Sequence, residues 1–179
     1  MNDNQTGFKV EAQNRKIVWI GNSITCGYGN EVSIAPPPQG NPSTGFHSVN
    51  QNITKAYGSL ISKQLNAQSI NLCYSGKGIY RNYHGDQEKT IPKFINQVFP
   101  DSTGYPIEKA QITASLYIIN AGTNDFGNEN LPNATKVDSA KFVELFLFLI
   151  KEICRVISID CIYHCLHELF FFSQKHLNY

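Results

Sequence analysis

Three short apolar runs along the chain each end in a polar turn that contains glycine. Residues 17–20 (IVWI) break at Gly21 into Asn22, Ser23 and Thr25. Residues 69–73 (SINLC) run into YSGKG at 74–78, and residues 115–120 into AGTND at 121–125. Short β-favouring runs stopped by glycine predict buried strands that close in tight turns. Helical patterns separate them. Thr54 is placed to cap a helix through Leu65, with Ala56, Tyr57, Leu60, Ile61 and Leu65 on one apolar face. Residues 90–98 predict a short helix with Pro92 in its first turn. Asp138 or Ser139 caps another that runs to about Arg155. Residues 142–150 are apolar except for Glu144, which predicts a helix buried on all sides. A fourth strand is expected at 157–163. Strands alternating with helices indicate an α/β fold with a parallel sheet and right-handed crossovers.

The 179 residues are enough for one domain with a proper core. Its expected limits are a polar lead-in at 1–15, a folded unit at 16–165, and an irregular aromatic tail at 166–179. Residues 27–52 form a long proline- and glycine-rich stretch leaving the same strand end as Ser23. It is either one wall of a substrate cleft or a solvated insertion. The net charge of +1, with scattered Lys and Arg, gives no footprint for nucleic acid. Five cysteines fit neither a disulfide framework nor a CxxC zinc site, and are read as small core or strand residues. No run reaches the roughly 20 apolar residues of a membrane span. The first ten residues lack the basic and apolar regions of a signal peptide. Sequons at Asn4, Asn52 and Asn133 hint at secretion, so the compartment stays open.

Ligands of parallel α/β sheets bind at the carboxyl ends of the strands. The three turns supply there a hydroxyl, a bare backbone N–H and a side-chain amide, the parts that acyl transfer requires. Singly, each has an ordinary explanation: a turn serine, a turn glycine, an Asx-turn asparagine. Together, in this order, they resemble the SGNH (GDSL-type) hydrolases. Gly21-Asn22-Ser23-Ile24-Thr25 is similar to the first block of that superfamily, Ser75-Gly76 to the second, and Gly122-Thr123-Asn124-Asp125 to the third. The longer wording GNSITCGYGNE, SGKGIYRNY and NAGTNDFGN resembles carbohydrate-esterase family two, acetyl xylan esterase-like enzymes that remove O-acetyl groups from plant polysaccharides.

The resemblance implies a three-layer α/β/α, flavodoxin-like sandwich, here incomplete with about four strands. It makes Ser23 the nucleophile. Gly76, through its N–H, and Asn124, through its amide, join the Ser23 N–H as the oxyanion hole. It implies no metal or cofactor, and an acetylated carbohydrate or other small ester as substrate. Two departures stand out. The first-block aspartate is Asn22, a neutral near-isostere. The late D-x-x-H block that carries the general base is absent from this sequence. Candidate replacements are His164 and His84, each limited by the need for hydrogen-bond reach to Ser23. The expectation is a weak or inactive esterase, truncated or frame-shifted relative to a longer one. The alternatives are a catalytically dead carbohydrate-binding protein, with Tyr28, Tyr80, Tyr83 and Phe126 stacking on sugar, or a fragment that does not fold stably. A nucleotide binder is disfavoured, because YSGKG lacks both G-x-G-x-x-G and the P-loop spacing.

Overall fold

The computed structural model describes residues 14–32, 47–97, 106–127, 129 and 135–157. Three parallel strands form the sheet: β1 (Lys16–Gly21), β2 (Gln68–Cys73) and β3 (Leu116–Asn120), in the order β2-β1-β3. Central β1 alternates between two cores, as the period of two in a strand requires. Val18 and Ile20 pack with Ile79, Ile91, Phe94, Leu149 and Ile153 on one face. Ile17 and Trp19 pack with Ala67 and Tyr57 on the other. The helices are α1 (Tyr57–Gln64), α2 (Ile91–Phe94), α3 (Lys109–Ile112), α4 (Thr123–Phe126) and α5 (Ser139–Ile157). α2 and α5 cover the Val18 face and α1 the Trp19 face, so the architecture is the expected α/β/α layering around a small sheet. Of the expected fourth strand, Ile157 instead closes α5, and the rest lies outside the described residues, as does the 166–179 tail.

The expected 90–98 helix is reduced to α2 (Ile91–Phe94), and two further helices differ from their expected form. The predicted 54–65 helix divides into a single 3-10 turn, Ile53–Lys55, and α1. Asn52, rather than Thr54, caps that turn by accepting from the Thr54 N–H. The buried face of α1 is made of Gly58 and Ser62, while Leu60, Ile61 and Leu65 are exposed. The cause is Trp19. A Cβ on Gly58 would stand 2.8 Å from its ring, so only glycine lets the helix approach. Ser62 Oγ accepts the buried indole N–H at 2.9 Å, and the Tyr57 ring meets the indole edge-on at 5.4 Å. In α5, Asp138 provides the cap, its carboxylate accepting from the Lys141 N–H at 3.0 Å. Its apolar stretch is not buried all round. Leu149, Ile150, Ile153 and Cys154 face the core, whereas Val143 and Phe148 are about half exposed, at 53% and 47%. A sheet on one side buries only one stripe of a helix.

Candidate active site

Gly21 stands opposite Cys73 in β2 and opposite Asn120 in β3. The three strands therefore end level, and their following turns emerge from one edge. In the first turn, Gly21 is required: a Cβ there would lie 2.1 Å from Thr25 Oγ1 and 2.6 Å from the Asn120 carbonyl. Asn22, fully buried, folds the turn by accepting from the Ile24 N–H at 3.1 Å. The Ser23 carbonyl accepts from the Tyr28 N–H at 2.8 Å, and Thr25 Oγ1 is hydrogen-bonded to Tyr57 OH at 2.8 Å. The turn is thus fixed to both its own backbone and α1. Among the described residues Asn22 Nδ2 has no acceptor. Oδ1 alone does the folding work, which a carboxylate could also do.

The stretch after Tyr28 is pinned where it leaves and returns. The Asn52 N–H donates to the Gly27 carbonyl at 3.1 Å, the Glu31 N–H to the Asn50 carbonyl at 3.2 Å, and Lys55 pairs with Glu31. Gly27 has φ +82°, and a Cβ on it would strike the Asn52 carbonyl at 2.2 Å, so glycine is obligatory at this crossing.

In the second turn Gly76 adopts φ +80°, a conformation glycine takes without penalty. Its carbonyl accepts from the Tyr83 N–H at 2.8 Å. Ser75 Oγ donates to Gln51 Oε1 at 2.5 Å, tying this turn to the returning end of the long stretch. In the third turn, Asn124 donates from Nδ2 to the Lys77 carbonyl at 2.7 Å. One amide hydrogen is thereby spent on holding the side chain, and the other is left to point elsewhere.

Asp125, which the sequence patterns left without a role, organises the second turn. It is fully buried. Its Oδ1 accepts from the N–H groups of Tyr80 and Arg81 at 2.7 and 2.9 Å, and its Oδ2 from that of Ile79 at 3.0 Å. Arg81 replies by donating from Nε to the Asp125 carbonyl and from a terminal nitrogen to the Thr135 carbonyl. Asn82, also buried, holds the lower part of the loop through Asp86 Oδ1 and the Glu88 carbonyl, both at 2.6 Å. Its hydrogen bond keeps the Asp86 carboxyl below its ordinary range, with smaller help from the Glu88 N–H and the Lys77 charge.

Ser23, Gly76 and Asn124 line one cavity of about 660 Å³. Among the described residues, neither the Ser23 nor the Gly76 N–H donates to a protein acceptor. Two open backbone donors and a positioned amide therefore belong to residues that share a cavity with the Ser23 hydroxyl, an arrangement suited to receiving a developing oxyanion. Tyr28, Tyr83 and His84 also line the cavity, and so do Tyr74 and Lys77, which had not been anticipated. Tyr80 and Phe126 are not part of the lining. The Phe126 ring packs on Phe142 of α5 at 4.9 Å, and the Tyr80 backbone is committed to Asp125. His84 is exposed, its ring edge-on to Tyr83 at 5.1 Å, and it forms no hydrogen bond to Ser23. His164 lies outside the described residues. Cys26, expected in the core or a strand, instead sits half-buried in the Ser23 turn, whereas Cys73 closes β2 and Cys154 is buried in α5.

A family model for GDSL-like lipases and acylhydrolases matches residues 17–162, which span all three turns. The chain belongs to the GDSL-like lipase/acylhydrolase family. Among curated proteins it is similar to the cellulase/esterase CelE of Acetivibrio thermocellus, at 32% identity over 141 residues. It is also similar to the acetylxylan esterase/glucomannan deacetylase of Cellvibrio japonicus, at 29% over 136 residues. These alignments take in 79% and 74% of this GDSL-like chain but only 16% and 36% of the two relatives. The family two carbohydrate esterase from Clostridium thermocellum, solved in complex with cellohexaose, superimposes with a TM-score of 0.69 and 30% identity. That superposition covers 83% of this chain and 41% of that one. No helix among the described residues is long and apolar enough to cross a membrane.

Proposed function

We propose that this chain carries the serine and oxyanion-binding half of a carbohydrate O-acetyl esterase. Ser23 Oγ attacks the acetyl carbonyl carbon. The negative charge that forms on the carbonyl oxygen is received by the N–H groups of Ser23 and Gly76 and by the Asn124 amide. The observation that carries this reading is the meeting of those three turns on one cavity with both backbone donors open. Such fixed donors stabilise the charge without reorganising, and losing one costs roughly 10²–10³ in rate in a serine hydrolase. The acetylxylan esterase activity in the name of one relative supports acetylated carbohydrate as the substrate class.

Ser23 makes no hydrogen bond to an imidazole among the described residues. A serine hydroxyl without a base is a poor nucleophile. With no base supplied by the described residues, slow turnover is expected, since removing the base of a serine hydrolase costs roughly 10⁴–10⁶ in rate. Acetate release from an acetylated xylo-oligosaccharide, compared between the chain and Ser23→Ala, tests the proposal. Slow release that Ser23→Ala abolishes is expected, and equal rates overturn it.

A catalytically silent carbohydrate-binding role is the second reading. It is favoured by Tyr83 and Tyr74, which expose 51% and 38% of their surface at the cavity that Tyr28 also lines. Saturable binding of the oligosaccharide that survives Ser23→Ala, with no acetate released, selects this reading over the first.

A further inference from the structure

Next to the Ser23 cavity lies a second one, of about 510 Å³, for which the esterase reading has no use. Cys26, Cys73, Ser75 and Gln51 are among its lining residues. The two cysteines come from different parts of the site. Cys73 is the last residue of β2, in register with Gly21. Cys26 stands at the far end of the Ser23 turn, its N–H bonded to the Asn22 carbonyl at 3.0 Å. Both cysteines line this one cavity, with Ser75 beside them. Both are free and half-buried, so both are reachable from the cavity.

We propose that Cys26 and Cys73 form a reversible disulfide, made by exchange with a small-molecule disulfide that enters this cavity, and that the bond staples the Ser23 turn to the strand carrying the Ser75-Gly76 turn. The two thiols are chemically unequal, which sets the order of attack. The hydrogen bond from Cys73 holds the Cys26 thiol below its ordinary range against the opposing effect of burial. The same bond, reinforced by burial, pushes the Cys73 thiol up. The thiolate is the attacking species, so Cys26 attacks first and Cys73 resolves. Cys26 Sγ displaces one half of the reagent, RSSR, forming a Cys26–S–S–R bond and releasing a thiolate. Cys73 then gives up its proton and attacks Cys26 Sγ, and the second thiolate leaves. Two protein thiols are oxidised by two electrons, one RSSR is reduced to two RSH, and the two protein protons end on those thiols.

The crosslink is read by mass, so it stands or falls independently of the esterase proposal. The full chain is incubated with oxidised glutathione, quenched in acid and peptide-mapped. The expected product links the Cys26 and Cys73 peptides, is lighter than the reduced pair by two hydrogens, and disappears on treatment with dithiothreitol. Cys73→Ser should stop at a glutathione adduct on Cys26, and Cys26→Ser should leave Cys73 unmodified. Before oxidation, Cys26 should alkylate at least roughly tenfold faster than buried Cys154 at neutral pH. A persistent glutathione adduct on Cys26 with Cys73 still free in the unsubstituted chain overturns the proposal. So does a link from Cys26 to any other cysteine, or alkylation of Cys154 as fast as Cys26.

Discussion

Replacing Asp125 separates a carboxylate that builds the site from one that merely sits beside it. Its two oxygens take three backbone N–H groups of the second turn, those of Ile79, Tyr80 and Arg81. Ile79 and Arg81 are buried and Tyr80 is half-buried, so little water can substitute when the acceptor goes. Each stranded N–H costs about 1–3 kcal/mol, which puts Asp125→Ala at about 3–6 kcal/mol once some hydration at Tyr80 is allowed. Asp125→Asn is milder. Its amide oxygen can keep the two bonds now made to Oδ1, leaving the NH₂ against the Ile79 N–H at about 1–3 kcal/mol. With total stabilities of roughly 5–15 kcal/mol, the alanine variant should approach global unfolding while the asparagine variant remains folded. Urea unfolding at neutral pH, with the midpoint compared at constant slope, measures both. An alanine variant within about 1 kcal/mol of the parent refutes the reasoning, since no unsatisfied group would then have been created. An asparagine variant as damaged as the alanine one refutes it differently, by assigning the effect to charge rather than to acceptor count.

Gly76 and Gly78, two residues apart, should respond in opposite proportion. A Cβ on Gly78 would fall 2.0 Å from the Arg81 carbonyl and 2.6 Å from Asp125 Oδ2, whereas one on Gly76 meets nothing within 4 Å. Gly76→Ala then costs only the left-handed backbone penalty of about 1–2 kcal/mol. Gly78→Ala costs about 3 kcal/mol or more because backbone must move. Thermal unfolding of the two variants in parallel checks that order. Asp86 predicts an acid limb. Its carboxyl is depressed in the folded chain, so its stabilisation is complete above the ordinary carboxylate value and is lost as pH falls through the lower folded value. Asp86→Asn should flatten the decline in stability below about pH 4, and an unchanged acid limb contradicts the Asn82–Asp86 assignment.

The strands and the three converging turns were legible because a central parallel strand is apolar on both faces and glycine marks where it must stop. Ser23, Gly76 and Asn124 could be singled out because each is an unusual group directly after such a run. The face of α1 was not legible. Leu60 and Ile61 offer the apolar pattern, but the partner is one large indole, and what fits against it is Gly58 and Ser62. Local periodicity counts apolar residues and carries no information about the size of the neighbour. The exposed side of α5 was missed for a related reason: Val143 and Phe148 are apolar, and only the extent of the sheet beneath decides whether they are covered. Asp125 was hidden by its neighbour, since a carboxylate after Asn124 looks like a solvated turn residue until its three long-range N–H partners are seen.

The crossing at Gly27 and Asn52 separates the Ser23 turn from whatever the chain does between positions 32 and 47. Backbone leaves and re-enters at a single knot of hydrogen bonds, so a segment of different length or composition can be exchanged there without transmitting a displacement to Ser23. Selection, or a protein engineer, can therefore rewrite that cassette while the Ser23 turn beneath is inherited unchanged.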